Sequence, residues 1–171
     1  IYLSAVSASM VALAFVTTLA DAEELIRGFV LVVLPVLAFM GFVTKARLVQ
    51  LSNTDFHYQR AINRIRHFYV DIAPETAHYL MLSPYDDMTG VARSAVYQEG
   101  RRMGILTASQ MVAVINYVIV GLLGGIAVDW VLDISAGRLL LIGAIIGLAV
   151  AVIDYRLGTA AWNRYVTALE V

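Results

Sequence analysis

Four long apolar stretches, almost free of charged residues, constrain this chain more than any other feature of its sequence. A helix that crosses the hydrocarbon core of a bilayer needs about 20 mostly apolar residues, within a range of roughly 17 to 25. Stretches of this kind cover residues 2–20, 26–44, 107–128 and 138–155. Residues 139–153 are apolar on every side, whereas a soluble helix would carry a polar face. The sequence therefore predicts four membrane-spanning helices, with the end charges of the fourth, Arg138 and Asp154, able to snorkel to the interface.

Composition points to the same class of protein. Hydrophobic residues make up 60% of the chain and charged residues 15%, whereas soluble domains are roughly 45 to 50% apolar and about 25% charged. The chain begins at Ile1 inside an apolar segment, so we expect a further N-terminal piece. A cleaved signal peptide is the rival interpretation, but residues 1–19 are longer than the apolar region of a signal. Lys45 is the one lysine beside many arginines, which points to a GC-rich bacterial genome.

The distribution of basic residues predicts the orientation, because positively charged loops stay in the cytoplasm. The region between the second and third stretches and the C-terminal tail hold most of them: Lys45, Arg47, Arg60, Arg64, Arg66, Arg93, Arg101, Arg102, Arg156 and Arg164. The other two loops carry acidic residues: Asp21, Glu23, Glu24, Asp129 and Asp133. We therefore expect a multi-pass protein of the cell membrane with both termini in the cytoplasm.

These patterns predict an all-α fold, a four-pass transmembrane helical bundle with a cytoplasmic helical layer between spans 2 and 3. Residues 1–44 form the first two spans, and residues 45–106 form the cytoplasmic helical region. Residues 107–171 form the last two spans and a cytoplasmic tail.

The cytoplasmic region begins with a predicted helix that continues the second span, over residues 26–70. Its apolar positions follow steps of 7, 4, 3, 4 and 3 residues, which is the spacing of a heptad seam. These positions are Leu51, Tyr58, Ile62, Ile65, Tyr69 and Ile72, with Asp55 at the remaining heptad position. Arg60, Arg64, His67 and Asp71 lie on a different face, which we interpret as solvated, with His67 paired to Asp71.

Two proline-containing segments predict short helices after this one. Pro74 stands at the first position of one, where proline is tolerated. Ser83 is the expected N-cap of the other, with Pro84 next and Asp86 and Asp87 in its first turn. A last amphipathic helix is predicted over residues 89–103.

Small residues indicate how the spans pack, because close approach of backbones drives helix association in lipid. Gly121 and Gly125 in the third span and Gly143 and Gly147 in the fourth have the same spacing and matching depth. They are predicted to pack on each other. Asn116 lies about 140° round the helix from Gly121, so we expect it to face another helix, a partner subunit or a pore.

Several classes of chemistry lack the residues they need. The chain has no cysteine and no acidic or basic residue near the middle of a predicted span, which disfavours proton pumps and ion-coupled transporters. It contains no phosphate-binding, dinucleotide-binding, zinc-protease or serine-hydrolase motif, and its histidines lack metal-site spacing. The net charge of −1 argues against a nucleic-acid partner. We therefore expect no enzyme activity, no metal and no cofactor.

The first functional hypothesis is a homo-oligomeric pore or channel for small ions, because four spans rarely enclose a pathway alone. The expected lining residues are Ser4, Ser7, Ser109 and Asn116. The five outer acids would concentrate cations at the mouth. Arg93, Arg101 and Arg102 would ring the inner side or, equally, bind anionic lipid headgroups.

The alternative is a non-conducting scaffold or accessory subunit that holds a partner through its cytoplasmic helices. Both hypotheses share a lipid bilayer as surroundings and a homo-oligomer as the expected state.

Overall fold

The computed structural model describes residues 1–18, 22–87, 89–91, 107–132 and 135–169. All of the regular secondary structure in these ranges is helical, which confirms the predicted all-α class. Its main elements are helix α1 (Tyr2–Val16), helix α2 (Ala22–Ile72), a 3-10 helix (Pro74–Tyr79), helix α3 (Ala108–Leu132) and helix α4 (Ala136–Leu169).

Three of these helices, α2, α3 and α4, are long and apolar enough to cross a membrane. Helix α1 is apolar but only 15 residues long, which is below the roughly 17 residues that a span needs. The membrane character of the chain thus rests on three helices among the described residues. The first predicted span, residues 2–20, corresponds to a shorter helix.

Helix α2 is one continuous helix of 51 residues, so the predicted helix over residues 26–70 is confirmed. Pro35 lies inside it without ending it. Helix α4 is also longer than predicted, because its 34 residues extend well past Tyr155. Asp154 and Arg156 therefore lie within a continuing helix and not at its end.

The chain divides into two compact units. The first, here called the apolar unit, comprises Ile1–Thr44 and Met111–Val171, and the second, the polar unit, comprises Lys45–Gln110. Buried apolar side chains of the apolar unit come from α1, α2 and α3: Tyr2, Leu37, Ala38, Val112, Ala113 and Ile119. Most large hydrophobic side chains of the unit are exposed, as expected where lipid or another subunit covers them.

In the polar unit, the first predicted short helix is confirmed as one 3-10 segment with Pro74 in its first turn. The second predicted short helix is wrong, because residues 83–86 have no regular structure. The Ser83 hydroxyl accepts a hydrogen bond from the Tyr85 amide at 3.2 Å. Asp87 is the cap that the sequence pattern misplaced: its Oδ1 accepts a hydrogen bond from the Gly90 amide at 2.7 Å. The predicted helix over residues 89–103 lies outside the described residues after Val91.

Candidate functional site

Helices α3 and α4 meet through glycines whose backbones are in direct contact. A Cβ atom added to Gly121 would meet the Gly143 carbonyl oxygen and would lie 3.3 Å from the Gly147 Cα. A Cβ atom on Gly143 would lie 2.9 Å from the Gly121 carbonyl oxygen, and one on Gly125 would lie 3.4 Å from the Gly143 Cα. The structure therefore brings together the four glycines that the sequence paired, and no side chain fits where Gly121 and Gly143 meet.

A polar contact lies beside this glycine interface. The Tyr117 hydroxyl of α3 donates a hydrogen bond to Asp154 Oδ2 of α4. The Asp154 carboxylate, at the end of the fourth predicted span, thus binds a neighbouring helix. Tyr117 is aromatic and largely apolar, so its hydroxyl can reach a polar partner while its ring stays in apolar surroundings. In the sequence, this pair was indicated only by Asp154, an acidic residue at the end of an apolar stretch.

Asn116 lies inside the apolar unit, where it is 1% exposed. The Tyr2 hydroxyl of α1 donates a long hydrogen bond of 3.5 Å to its Oδ1. Gly41 of α2 leaves room for the asparagine, because a Cβ atom there would clash with the Asn116 Oδ1 and lie 2.9 Å from the Tyr2 hydroxyl oxygen. Asn116 thus joins three helices of one chain, which is one of the roles that its position predicted.

The other residues predicted to line a pore are less buried than Asn116. Ser4 and Ser7 are exposed on α1, and Ser109 is half-buried at the start of α3. The Ser109 hydroxyl shares a 3.0 Å hydrogen bond with the hydroxyl of Thr107. Within one chain, the exposed serines and the buried asparagine do not line a common surface.

Charged residues predicted at the two membrane faces are described only in part. Glu24 is exposed and Asp129 is half-buried. Asp21, Asp133, Arg93, Arg101 and Arg102 lie outside the described residues, as does the side chain of Glu23. Among the described residues, no three His, Asp or Glu side chains form a group that could hold a metal ion.

The polar unit contains a buried asparagine that the sequence did not single out. Asn63 of α2 is 0% exposed, and its Nδ2 donates a hydrogen bond to the Tyr85 carbonyl oxygen at 2.8 Å. Its Oδ1 accepts a hydrogen bond from Arg66 Nη1 at 2.7 Å. Asn63 thus attaches the segment 83–87 to α2, and a lone asparagine amid charged residues gave no pattern that would have revealed it.

Two arginines hold the same segment, on the face of α2 that was predicted to be solvated. The Arg60 Nε donates a hydrogen bond to the Asp86 carbonyl oxygen at 3.0 Å, and the Arg64 Nε lies 3.6 Å from Asp86 Oδ2. The solvated interpretation is therefore wrong for Arg60, which is half-buried. The predicted pairing of His67 with Asp71 is confirmed, at 3.7 Å.

The heptad seam of α2 lies on the opposite side of the helix and is uncovered. At 100° per residue, the line between Ile62 and Ile65 is about half a turn from the mean direction of Arg60, Asn63 and Arg64. The exposed fractions of the six seam residues run from 42% for Ile62 to 66% for Leu51 and Ile72. Isolated apolar residues on a surface are ordinary, but a contiguous stripe marks an interaction site.

Comparison with known proteins adds no functional assignment: no protein-family model, curated protein or solved structure matches the chain significantly. The functional conclusion must therefore rest on the geometry of the chain itself.

Proposed function

We propose that this protein is a homo-oligomeric membrane protein whose subunits associate through the seam of α2, and that it acts as a non-conducting scaffold. The observation that carries this proposal is the exposure of the seam, that is, of the apolar a and d positions of α2. The opposite face of α2 is already covered by residues 83–87. A heptad stripe is self-complementary, because the same positions of a second copy supply both the knobs and the holes. Two copies inserted in one membrane with one orientation run parallel, as this packing needs.

Asp55 gives the proposed interface its register. It occupies an a position between Leu51 and Tyr58, where a parallel partner would place a second aspartate beside it. A polar residue at an a position selects register and oligomeric state at a cost in stability. The seam should therefore associate reversibly.

Removing one apolar seam residue is expected to separate the subunits. Ile65→Asp would bury a charge at a d position of the contact, so we expect association to weaken at least about tenfold. Asp55→Leu should strengthen it by a similar factor, because it removes the facing carboxylates. The measurement is oligomer mass against protein concentration in a neutral detergent, by sedimentation equilibrium.

Val49→Asp is the matched control, because it places the same charge on an exposed apolar position of α2 outside the seam. Equal oligomer mass for the Ile65 and Val49 variants would refute the seam. Unchanged association of Asp55→Leu would refute the assigned register.

A pore is the second candidate function, favoured by the exposure of Ser4 and Ser7 on α1. Burial of Asn116 between helices of one chain argues against a place for it in the lining of such a pore. Ion flux through liposomes that contain the assembled protein separates the two functions. A scaffold leaves the liposomes sealed, whereas a pore conducts and loses conductance when both serines become leucine.

The proposed topology has four crossings with both termini in the cytoplasm, α1 belonging to the first of them. The supporting observation is the charge asymmetry of the loops. Because the chain lacks cysteine, single cysteines report topology without background. A membrane-impermeant maleimide applied to intact cells should label Glu24→Cys, and should label Ile1→Cys, Thr54→Cys and Thr167→Cys only after permeabilisation. Labelling of Ile1→Cys in intact cells would show that α1 does not cross.

A further inference from the structure

An open groove runs along the flank of α2 in the polar unit, beside the segment 83–87. It has a volume of about 690 Å³, which is within the range of about 300 to 1,000 Å³ that small-molecule sites occupy. Its lining residues are His57, Arg60, Ala61, Arg64, Ile65, Phe68, Tyr69 and Asp86. The groove uses none of the polar contacts of Asn63.

The lining is divided by chemistry. Arg60 and Arg64, one helical turn apart, lie on one side together with His57. The apolar side consists of Ala61 and Phe68 together with two residues of the seam, Ile65 and Tyr69. Arginine presents several N–H donors in a planar fork that matches the oxygens of a phosphate group. The groove therefore combines an anion-binding wall with a surface for an apolar or aromatic body.

One arginine of the groove is fixed by a hydrogen bond to the backbone, and the other is exchangeable. The Arg60 Nε is bound to the backbone carbonyl of Asp86, so its position does not depend on the aspartate side chain. Arg64 has a side chain that is 83% exposed, and its Nε lies 3.6 Å from the Asp86 carboxylate. Such an exposed ion pair contributes little stability, so a stronger anion can replace the carboxylate at Arg64.

We propose that this groove binds an organic phosphate, with the phosphate on Arg60 and Arg64 and the apolar or aromatic body against Phe68. The carboxylate of Asp86 competes with the ligand for Arg64. The groove shares Ile65 and Tyr69 with the seam. Phosphate binding does not require association through the seam, because Arg60 and Arg64 lie outside its a and d positions. A soluble nucleotide and a phospholipid headgroup share this chemistry.

Binding is tested with the full chain in nanodiscs of uncharged lipid, by calorimetry with adenosine diphosphate and with dioctanoyl phosphatidic acid. At least one probe should bind. Arg64→Gln should weaken its binding on the order of tenfold, since hydrogen bonds to charged groups have about this worth. Asp86→Asn should tighten binding by up to about fivefold, because it removes the competing charge of an exposed ion pair and keeps the carbonyl that holds Arg60.

The matched control is Arg47→Gln, which removes the same charge from an exposed position of α2 outside the groove. Its affinity should equal that of the unmodified protein. Binding of the nucleotide alone or the lipid alone identifies the source of the phosphate, and either supports the site. Absence of binding by both probes, or equal weakening by the Arg47 and Arg64 variants, overturns it. Weaker binding by Asp86→Asn also overturns it. Oligomer mass measured on the same samples reports association through the seam independently of ligand binding.

Discussion

Gly121→Ile is expected to separate α3 from α4 and to destabilise the apolar unit more than any other single change considered in that unit. Even one Cβ atom at this position meets the Gly143 carbonyl oxygen, and it lies 3.3 Å from the Gly147 Cα. Both obstacles are backbone atoms, which cannot rotate away as the end of a side chain can. Overpacking of a tight interior costs about 1 to 3 kcal/mol, occasionally more. We expect a loss at the upper end of that range, measured as the free energy of unfolding in mixed micelles.

Gly158→Ile is the matched control, because a Cβ atom at Gly158 of α4 has nothing within 4 Å. Isoleucine favours helix over glycine by a few tenths of a kcal/mol, so this variant should be as stable as the unmodified protein or slightly more so. A similar loss of stability in both variants would mean that the glycine interface does not hold α3 against α4.

The pairing of these glycines was open to prediction because it follows from local rules. Glycines four residues apart lie on one face of a helix, and a short connection makes two neighbouring spans antiparallel. The face of Asn116 could be deduced from the same helical geometry. Its partners could not, because Tyr2 and Gly41 lie far away in the sequence and no periodicity links them.

Local signals failed where tertiary contacts decided the structure. Ser83 followed by Pro84 and two acids is typical of a helix start. This segment instead has no regular secondary structure and is held against α2 by Arg60 and Asn63. Hydrogen bonds to side chains of α2 compensate for the helix that residues 83–86 do not form. Periodicity likewise identified the seam but could not tell whether the opposite face was solvated or covered.

The contact between Tyr117 and Asp154 could not be predicted from the sequence for a third reason. An acid at the end of an apolar run is compatible with snorkelling or with a partner on another helix, and the hydrophobicity of α4 is the same in both cases. The choice depends on how far α4 continues and on its depth relative to α3. These are properties of helix packing that the glycine contacts determine.

Asn63→Leu is expected to release the segment 83–87 from α2 while leaving the helix itself intact. Leucine has the same number and branching of side-chain heavy atoms as asparagine and favours helix more strongly, but it cannot donate to the Tyr85 carbonyl or accept from Arg66. Loss of a buried hydrogen-bond partner costs about 1 to 3 kcal/mol. Amide exchange at Gly90 and Val91, whose N–H groups bind Asp87, should accelerate roughly 5- to 100-fold.

Asn63→Asp distinguishes the hydrogen bond to the Tyr85 carbonyl from the one that Arg66 donates. It keeps the acceptor for Arg66 but places an oxygen against the Tyr85 carbonyl, so the segment should still be released while Arg66 stays in place. Asn53→Leu, a half-buried position ten residues earlier in α2, should leave exchange unchanged. If the Asn63 variants instead leave Gly90 and Val91 as protected as before, the arginine contacts alone hold the segment. The position of Asp86 beside Arg64 would then depend on Arg60 and not on the Asn63 amide.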